Sequence, residues 1–327
     1  MATRSASSKQ RAAVVYHPGK VDLDRLKRIV AETEQSESWL ETSWFPTTAE
    51  EAGQSAARQA VAEGAAVVMA AGGDGTVRAV AEGLRDSDVP MALLPAGTGN
   101  LLARNLSHAL GNLEESVRTA FTGRNRSIDT GIVEITTADG STEEHVFLVM
   151  AGLGIDAKMI AKTNSKLKRA VGWLAYVDAG VRALPDLKPL RLRYRLDESP
   201  ERSLTAHSLI IGNCGSLPGG ILLMPDAEPD DGILDIAALR PRGPFGWIKI
   251  WNKLTWENGV LRKSAAGRAI IDLTKDVKDV TYFRGAQIVV AVDEPQSFQL
   301  DGDEFGEAVG IRAWVDHHSL QVRVPAE

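Results

Sequence analysis

Two short glycine-rich stretches carry the residue types that handle phosphate. Gly72-Gly73-Asp74-Gly75-Thr76 follows the apolar run Ala66–Ala71, Pro95-Ala96-Gly97-Thr98-Gly99-Asn100 follows Met91–Leu94, and an amphipathic stretch comes after each. Glycine lets backbone N–H groups come close to an anion, and the N-terminus of a following helix adds a favourable dipole. Neither stretch is a Walker loop, because no Gly-Lys-Ser/Thr closes it and no lysine is offered to the phosphates. Taken singly, a glycine-rich turn is more often a plain tight turn than a site. Two of them at the carboxyl ends of neighbouring strands form one crevice, where open α/β sheets bind ligands.

The elements that must hold these turns show in the hydrophobic rhythm. From residue 12 to about 125, apolar runs alternate with amphipathic stretches: Ala12–Tyr16 then Val21–Glu34, Trp39–Phe45 then Thr48–Glu63, Ala65–Ala71 then Thr76–Arg85, Met91–Leu94 then Asn100–Leu106. That alternation predicts a parallel sheet covered by helices, a doubly wound α/β domain. Thr48 and Glu51 have capping-box spacing for the helix expected to end at Gly64. Past residue 127 the pattern turns to strand-like runs (Gly131–Thr137, His145–Met150, Leu190–Leu196, Ser208–Ile211, Gly232–Leu239, Gln287–Val292), interrupted by two helical stretches, about Ala157–Leu184 and about Phe245–Lys263. A mostly β second domain over 127–310 is expected after an α/β domain over 1–126, with the closing strand, about 311–327, returning to the first.

Composition narrows the function classes. The 327 residues hold 43 Asp and Glu against 37 Lys and Arg, a net charge of −6, with 44% hydrophobic residues. This is an ordinary globular composition, and its acidity argues against broad binding to a nucleic-acid backbone. Cys214 is the single cysteine, so no internal disulfide and no cysteine-cluster zinc site can form, which fits a reducing, cytoplasmic setting. No run approaches the roughly 20 apolar residues of a membrane-spanning helix.

GGDGT at 72–76 followed by LPAGTGN at 94–100 resembles the diacylglycerol kinase catalytic-domain family, the soluble bacterial lipid kinases within the superfamily of NAD kinases and phosphofructokinases. Further segments match in order: Ser127–Gly131, Met224-Pro225-Asp226-Ala227, Asp230-Asp231-Gly232, Leu234-Asp235 and Leu300-Asp301-Gly302-Asp303. The resemblance implies an NAD kinase-like α/β domain, a β-rich second domain, ATP as donor, Mg²⁺, and a lipid hydroxyl as acceptor. Residue by residue, it implies that Gly72, Gly73, Asp74, Gly75, Thr76, Gly97, Thr98, Gly99 and Asn100 hold the nucleotide, with Thr48 as a further contact or a plain N-cap. It implies a Mg²⁺ loop from Asp231 and the carbonyls of Glu228 and Ile233, and Asp301 as general base with Asp303 beside it. Asp74, Asp129 and Asp301 are carboxylates suited to metal contact or proton transfer, which phosphoryl transfer requires. Asp-Gly is also a common hairpin pair, so both Asp301-Gly302 and Asp231-Gly232 have a turn alternative.

This chain departs from the family pattern where His17-Pro18 replaces Asn-Pro, where Leu101 follows GTGN in place of an acidic residue, and at Arg78-Ala79. Each change removes a polar group expected near the phosphates. Between Lys158 and Arg195 there are ten Lys and Arg against Asp178 and Asp186, a local net of +8 that is either a solvated face or an attraction to anionic lipid headgroups. Trp247 and Trp251 share a helical face in the second insertion, as core or as an interfacial anchor. The expectation is a cytoplasmic kinase peripherally associated with a membrane, taking lipid and ATP; a homodimer is compatible with it. NAD kinase activity and a regulator with weakened catalysis are the alternatives. His317-His318 fits no metal spacing and is assigned no role.

Overall fold

The computed structural model describes residues 9–48, 50–154, 189–217, 221–241 and 279–326. The helical stretches expected at about 157–184 and 245–263, their tryptophans, and most of the basic run lie outside the described residues. The chain divides into two compact units, Met1–Ile128 with Ser319–Glu327, and Asp129–His318.

The first unit runs β1 (Arg11–Tyr16), α1 (Leu23–Glu37), β2 (Leu40–Pro46), α2 (Gln54–Ala62), β3 (Val67–Gly72), α3 (Asp74–Leu84), β4 (Met91–Pro95), α4 (Leu101–Asn105) and α5 (Leu113–Thr122). The four strands are parallel in the order β2-β1-β3-β4, and Val322, near the end of the chain, pairs in parallel with Met91. All six residues of β3 are buried, as expected of a parallel strand covered on both faces. On one face Ala12, Val14, Met69 and Leu94 pack with Leu26, Ile29 and Val30 of α1 and Val117 and Phe121 of α5. Helix α5 went unread in the sequence, although Leu113, Val117, Ala120 and Phe121 recur at helical spacing.

Helix α2 starts six residues later than Thr48. The Thr48 hydroxyl does accept the Glu51 N–H (3.1 Å), but the Glu51 carboxylate turns forward to the N–H groups of Gly53 and Ser55. Gly53, at φ +129°, then begins the helix with its Cα so close that an added Cβ would lie 2.9 Å from Val15 Cγ1. The capping-box pair therefore builds a turn that leads into the helix, not its first turn.

The second unit is antiparallel. Its strands are β5 (Arg124–Thr136, begun in the first unit), β6 (Thr142–Phe147), β7 (Met150–Leu153), β8 (Leu190–Leu196), β9 (Arg202–Ala206), β10 (Ser208–Gly212), β11 (Ser216–Leu217), β12 (Ile221–Leu222), β13 (Leu234–Leu239), β14 (Val280–Gly285), β15 (Gln287–Leu300) and β16 (Asp303–Val324). The order is β14-β13-β10-β7-β15-β16, with β8 on β15 and β9, and β5 on β6 and β16. β11 and β12 pair separately. A core of Phe147, Leu153, Leu192, Ile211, Ile236, Val290, Phe298 and Ile311 fills one face. Ile210, Met224, Ala237 and Val280 form a second cluster on the other face of β10 and β13. Strands β15 and β16 run longer than the apolar runs at 287–292 and 311–324, because the ladder crosses a register irregularity between Ala291 and Gln296 and continues to the hairpin at Leu300 and Asp303.

Candidate functional site

In the first unit, β3 and β4 end side by side, Gly72 opposite Pro95, so each delivers its glycine turn to the same edge. An added Cβ on Gly97 would lie 2.7 Å from the Cα of Gly73, and one on Gly72 would lie 2.5 Å from Thr76 Oγ1. Only glycine lets these backbones approach so closely. Helix α3 opens at Asp74, and its first-turn N–H groups have no partner within the helix.

The second turn is clasped shut by its own residues. Asn100, at φ +47°, accepts the Gly97 N–H at its Oδ1 (3.0 Å) and donates its Nδ2 to the Gly97 carbonyl (2.9 Å). Asp74 joins the two turns: its Oδ2 accepts the Asn100 N–H (2.9 Å) and its Oδ1 the Leu101 N–H (2.5 Å). Asp74 and Asn100 thus shape the two turns with their side chains. Leu101 is buried and contributes its N–H. A side chain is lost there, but not the contact with Asp74.

Two residues alter expectations drawn from the sequence. Lys20 is exposed, and its Nζ would lie 2.9 Å from a Cβ on Gly73, which brings an ammonium to the first glycine turn after all. The signal was present: Lys20 follows the end of β1, which pairs with β3 so that Tyr16 stands opposite Ala71. His17, in place of the family's asparagine, accepts the Gly19 N–H at Nδ1 (3.1 Å) and closes the turn that carries Lys20.

In the second unit each expected carboxylate is held by distant parts of the chain. Asp301 and Gly302 form the two-residue turn between β15 and β16, with φ of +48° and +94°. The Asp301 side chain is nevertheless buried: Oδ1 accepts the N–H groups of Val149 (2.8 Å) and Met150 (3.0 Å), and Oδ2 that of Leu148 (2.9 Å). Asp301 thus combines a hairpin turn with a buried, three-fold acceptor. Asp303 is exposed at the first position of β16.

Asp129, 0% exposed, accepts at Oδ1 from the His318 N–H (2.7 Å) and His317 Nδ1 (2.8 Å), and at Oδ2 from the Gly232 N–H (2.7 Å). Its carbonyl takes the Asn213 Nδ2 (2.9 Å). Asp129, His317 and His318 are the one group of metal-capable side chains that converges among the described residues. The sequence left His317 without a role because its partner lies 188 positions away.

The proposed metal ligands behave differently from expectation. Asp231 Oδ2 lies 2.7 Å from Arg284 Nη2, and Asp231 Oδ1 accepts the Ile233 N–H (3.1 Å). Arg284 Nη2 also reaches the Asp226 carbonyl (3.2 Å), and its Nε lies 3.1 Å from Asp235 Oδ1. Asp235 Oδ2 is buried with no hydrogen-bond partner among the described residues. Desolvation lifts the Asp235 carboxyl to about 6, against the pull of Arg284 and with help from the charges of Asp231 and Asp226. A Mg²⁺ ion held about 2.1 Å from Asp231 Oδ2 would compete with a guanidinium bonded to that oxygen. The positive charge of Arg284 at Asp231 Oδ2 therefore opposes a resident Mg²⁺ held by Asp231 with the carbonyls of Glu228 and Ile233, the expected ligand set.

Residues 11–133 match the diacylglycerol kinase catalytic domain, and residues 149–323 match the YegS C-terminal NAD kinase β-sandwich-like domain. That tandem defines a class of phosphotransferases built from a glycine-turn α/β unit and a β-sandwich. The chain belongs to the diacylglycerol kinase and YegS-like lipid kinase family. It is 33% identical to the diacylglycerol kinase of Mycobacterium tuberculosis over 54% of its length, a match spanning only 56% of that protein. It is 26% identical to the diacylglycerol kinase of Bacillus subtilis over 97% of both chains, and 30% identical to a YegS-like protein of Pseudomonas fluorescens over 74% of its own length and 76% of that protein. A crystal structure of a Bacillus anthracis protein shares the fold with a TM-score of 0.75 at 17% identity, covering 99% of this chain and 98% of that one. Among the described residues no helix is long and apolar enough to cross a membrane.

Proposed function

We propose that the chain transfers the γ-phosphoryl group of ATP to the hydroxyl of diacylglycerol or a related lipid alcohol. The observation that carries this is the pair of interlocked glycine turns with Lys20 beside Gly73, in a chain of the lipid kinase family. Main-chain N–H groups of the Gly72–Thr76 and Gly97–Asn100 turns and the Lys20 ammonium would receive the phosphates, and Mg²⁺ bound with the nucleotide would supply further charge neutralisation. The acceptor oxygen forms a bond to the γ-phosphorus as the bond to the ADP oxygen breaks. The hydroxyl proton passes to a carboxylate of the Asp301–Asp303 hairpin. Asp303 is the exposed member, and Asp301, with both oxygens on backbone donors, holds the hairpin in place.

For delivery of the lipid, the basic run that ends in the exposed Arg191, Arg193 and Arg195 of β8 favours an anionic membrane surface, to which the protein would attach peripherally from the cytoplasm. Purified protein incubated with labelled ATP, Mg²⁺, a panel of lipids and NAD is expected to label a lipid alcohol. Label in NAD would support the NAD kinase alternative, and ATP binding without transfer to any acceptor would support a regulator. Asp303→Asn is expected to lower kcat at least tenfold with the melting temperature unchanged. Full activity in that variant would remove Asp303 as the base.

A further inference from the structure

The acidic loop at 226–235 already contains a cation. Arg284 stands directly opposite Asp235 in the antiparallel register of β13 and β14, so the sheet itself fixes where its side chain begins. From there the guanidinium bonds Asp235 Oδ1 (3.1 Å), Asp231 Oδ2 (2.7 Å) and the Asp226 carbonyl (3.2 Å). Its planar fork of donors suits this arrangement of two carboxylates and a carbonyl. Asp235 is the deepest of the three, with its side chain 7% exposed against 24% for Asp231 and 42% for Arg284. The positive charge thus lies on the open side of a buried carboxylate.

We propose that Arg284 is the resident cation of this loop: it does the work of a divalent ion there, the second unit folds without one, and the loop accepts a divalent ion only once Arg284 is removed. Three considerations support this. A divalent ion at Asp231 would share its carboxylate with the Arg284 guanidinium 2.7 Å away and be repelled by that charge, while Asp231 Oδ1 already accepts the Ile233 N–H. A cation delivered by the sheet needs no capture from solution and brings no loss of a free ion's entropy. Asp235 Oδ2, buried without a partner among the described residues, gives the emptied loop a further acceptor for an ion that replaces the guanidinium. The proposal does not depend on the kinase activity, because it concerns folding of the second unit in the absence of nucleotide.

The test is thermal unfolding of the nucleotide-free protein in EDTA and in millimolar Mg²⁺ or Ca²⁺, with ionic strength matched by sodium salt. Wild type is expected to melt at the same temperature in all three. Arg284→Ala is expected to melt lower in EDTA and to regain several degrees on addition of the divalent ion, since a ligand that binds only the folded state stabilises by mass action. Adding Asp231→Asn to that variant should abolish the regain, which separates this loop from any other ion site. Arg284→Lys should keep the indifference to divalent ions, because the ammonium restores the charge. A wild-type melting temperature that rises with Mg²⁺ and loses the rise in Asp231→Asn would overturn the proposal. So would an Arg284→Ala protein that folds and ignores divalent ions. Should Arg284→Ala not fold in EDTA, its recovery in Mg²⁺-containing buffer supports the proposal, and failure in both media counts against it.

Discussion

The crevice of the first unit and the carboxylate centres of the second solve the placement of charge in opposite ways. In the first, Asp74, Gly97 and Asn100 lie within 27 residues of one another and their bonds fold two turns together. In the second, Asp129 bonds residues 188 and 189 positions away, Asp301 bonds residues 151 to 153 away, and Asp231 meets Arg284 at 53. Short-range bonds shape two main-chain turns at one edge of the sheet. Long-range bonds consume the carboxylates in holding the unit together. Residues of one type thus act as scaffold in the second unit, and what is offered to a ligand there has to be sought in exposed neighbours such as Asp303 and His317.

The largest expected effect tests the scaffold side. Asp129→Ala leaves the N–H groups of Gly232 and His318 and the His317 ring without their acceptor, and each buried donor left unsatisfied costs about 1–3 kcal/mol. Chemical denaturation followed by circular dichroism should show that loss. A variant as stable as wild type would break the contrast between the units. Asp301→Asn belongs to the same class but should cost less, about 1–3 kcal/mol, because one amide face still accepts while the other turns an NH₂ toward a backbone N–H. The expected readout is a lower melting temperature along with lower activity.

On the ligand side the effect should be on affinity and not on folding. Lys20 is exposed, so Lys20→Met should weaken ATP binding about tenfold, equivalent to about 1.4 kcal/mol, with the melting temperature unchanged. Calorimetric titration with ATP and Mg²⁺ measures it, and undiminished affinity would take Lys20 out of the crevice.

The smallest effect sharpens the contrast through pH. The Asp235 carboxyl is raised from 3.8 to about 6 in the folded chain by burial. The folded state therefore holds this proton more tightly than the unfolded state does. Its contribution to stability is complete below pH 3.8 and is lost as pH rises through about 6. Asp235→Asn should flatten that part of the melting-temperature profile. A wild-type profile with the same slope in the variant would show that Asp235 is not its source.

Local pattern along the chain was enough for the α/β alternation of the first unit, the mostly β texture of the second, and the two glycine turns with their family likeness. These depend on period, on turn chemistry and on neighbours a few residues apart. Its misses have the same origin: the helix read from Thr48 begins at Gln54 because Glu51 turns forward to Gly53 and Ser55, a choice between two local bonds that spacing cannot make. Tertiary structure alone decided that Asp301 is both a hairpin turn and a buried acceptor, that His317 pairs with Asp129, and that Arg284 occupies the loop read as a metal site. Each of those depends on which strands become neighbours. A charge has no period, and its partner is set by the ladder that brings two distant stretches of chain into register.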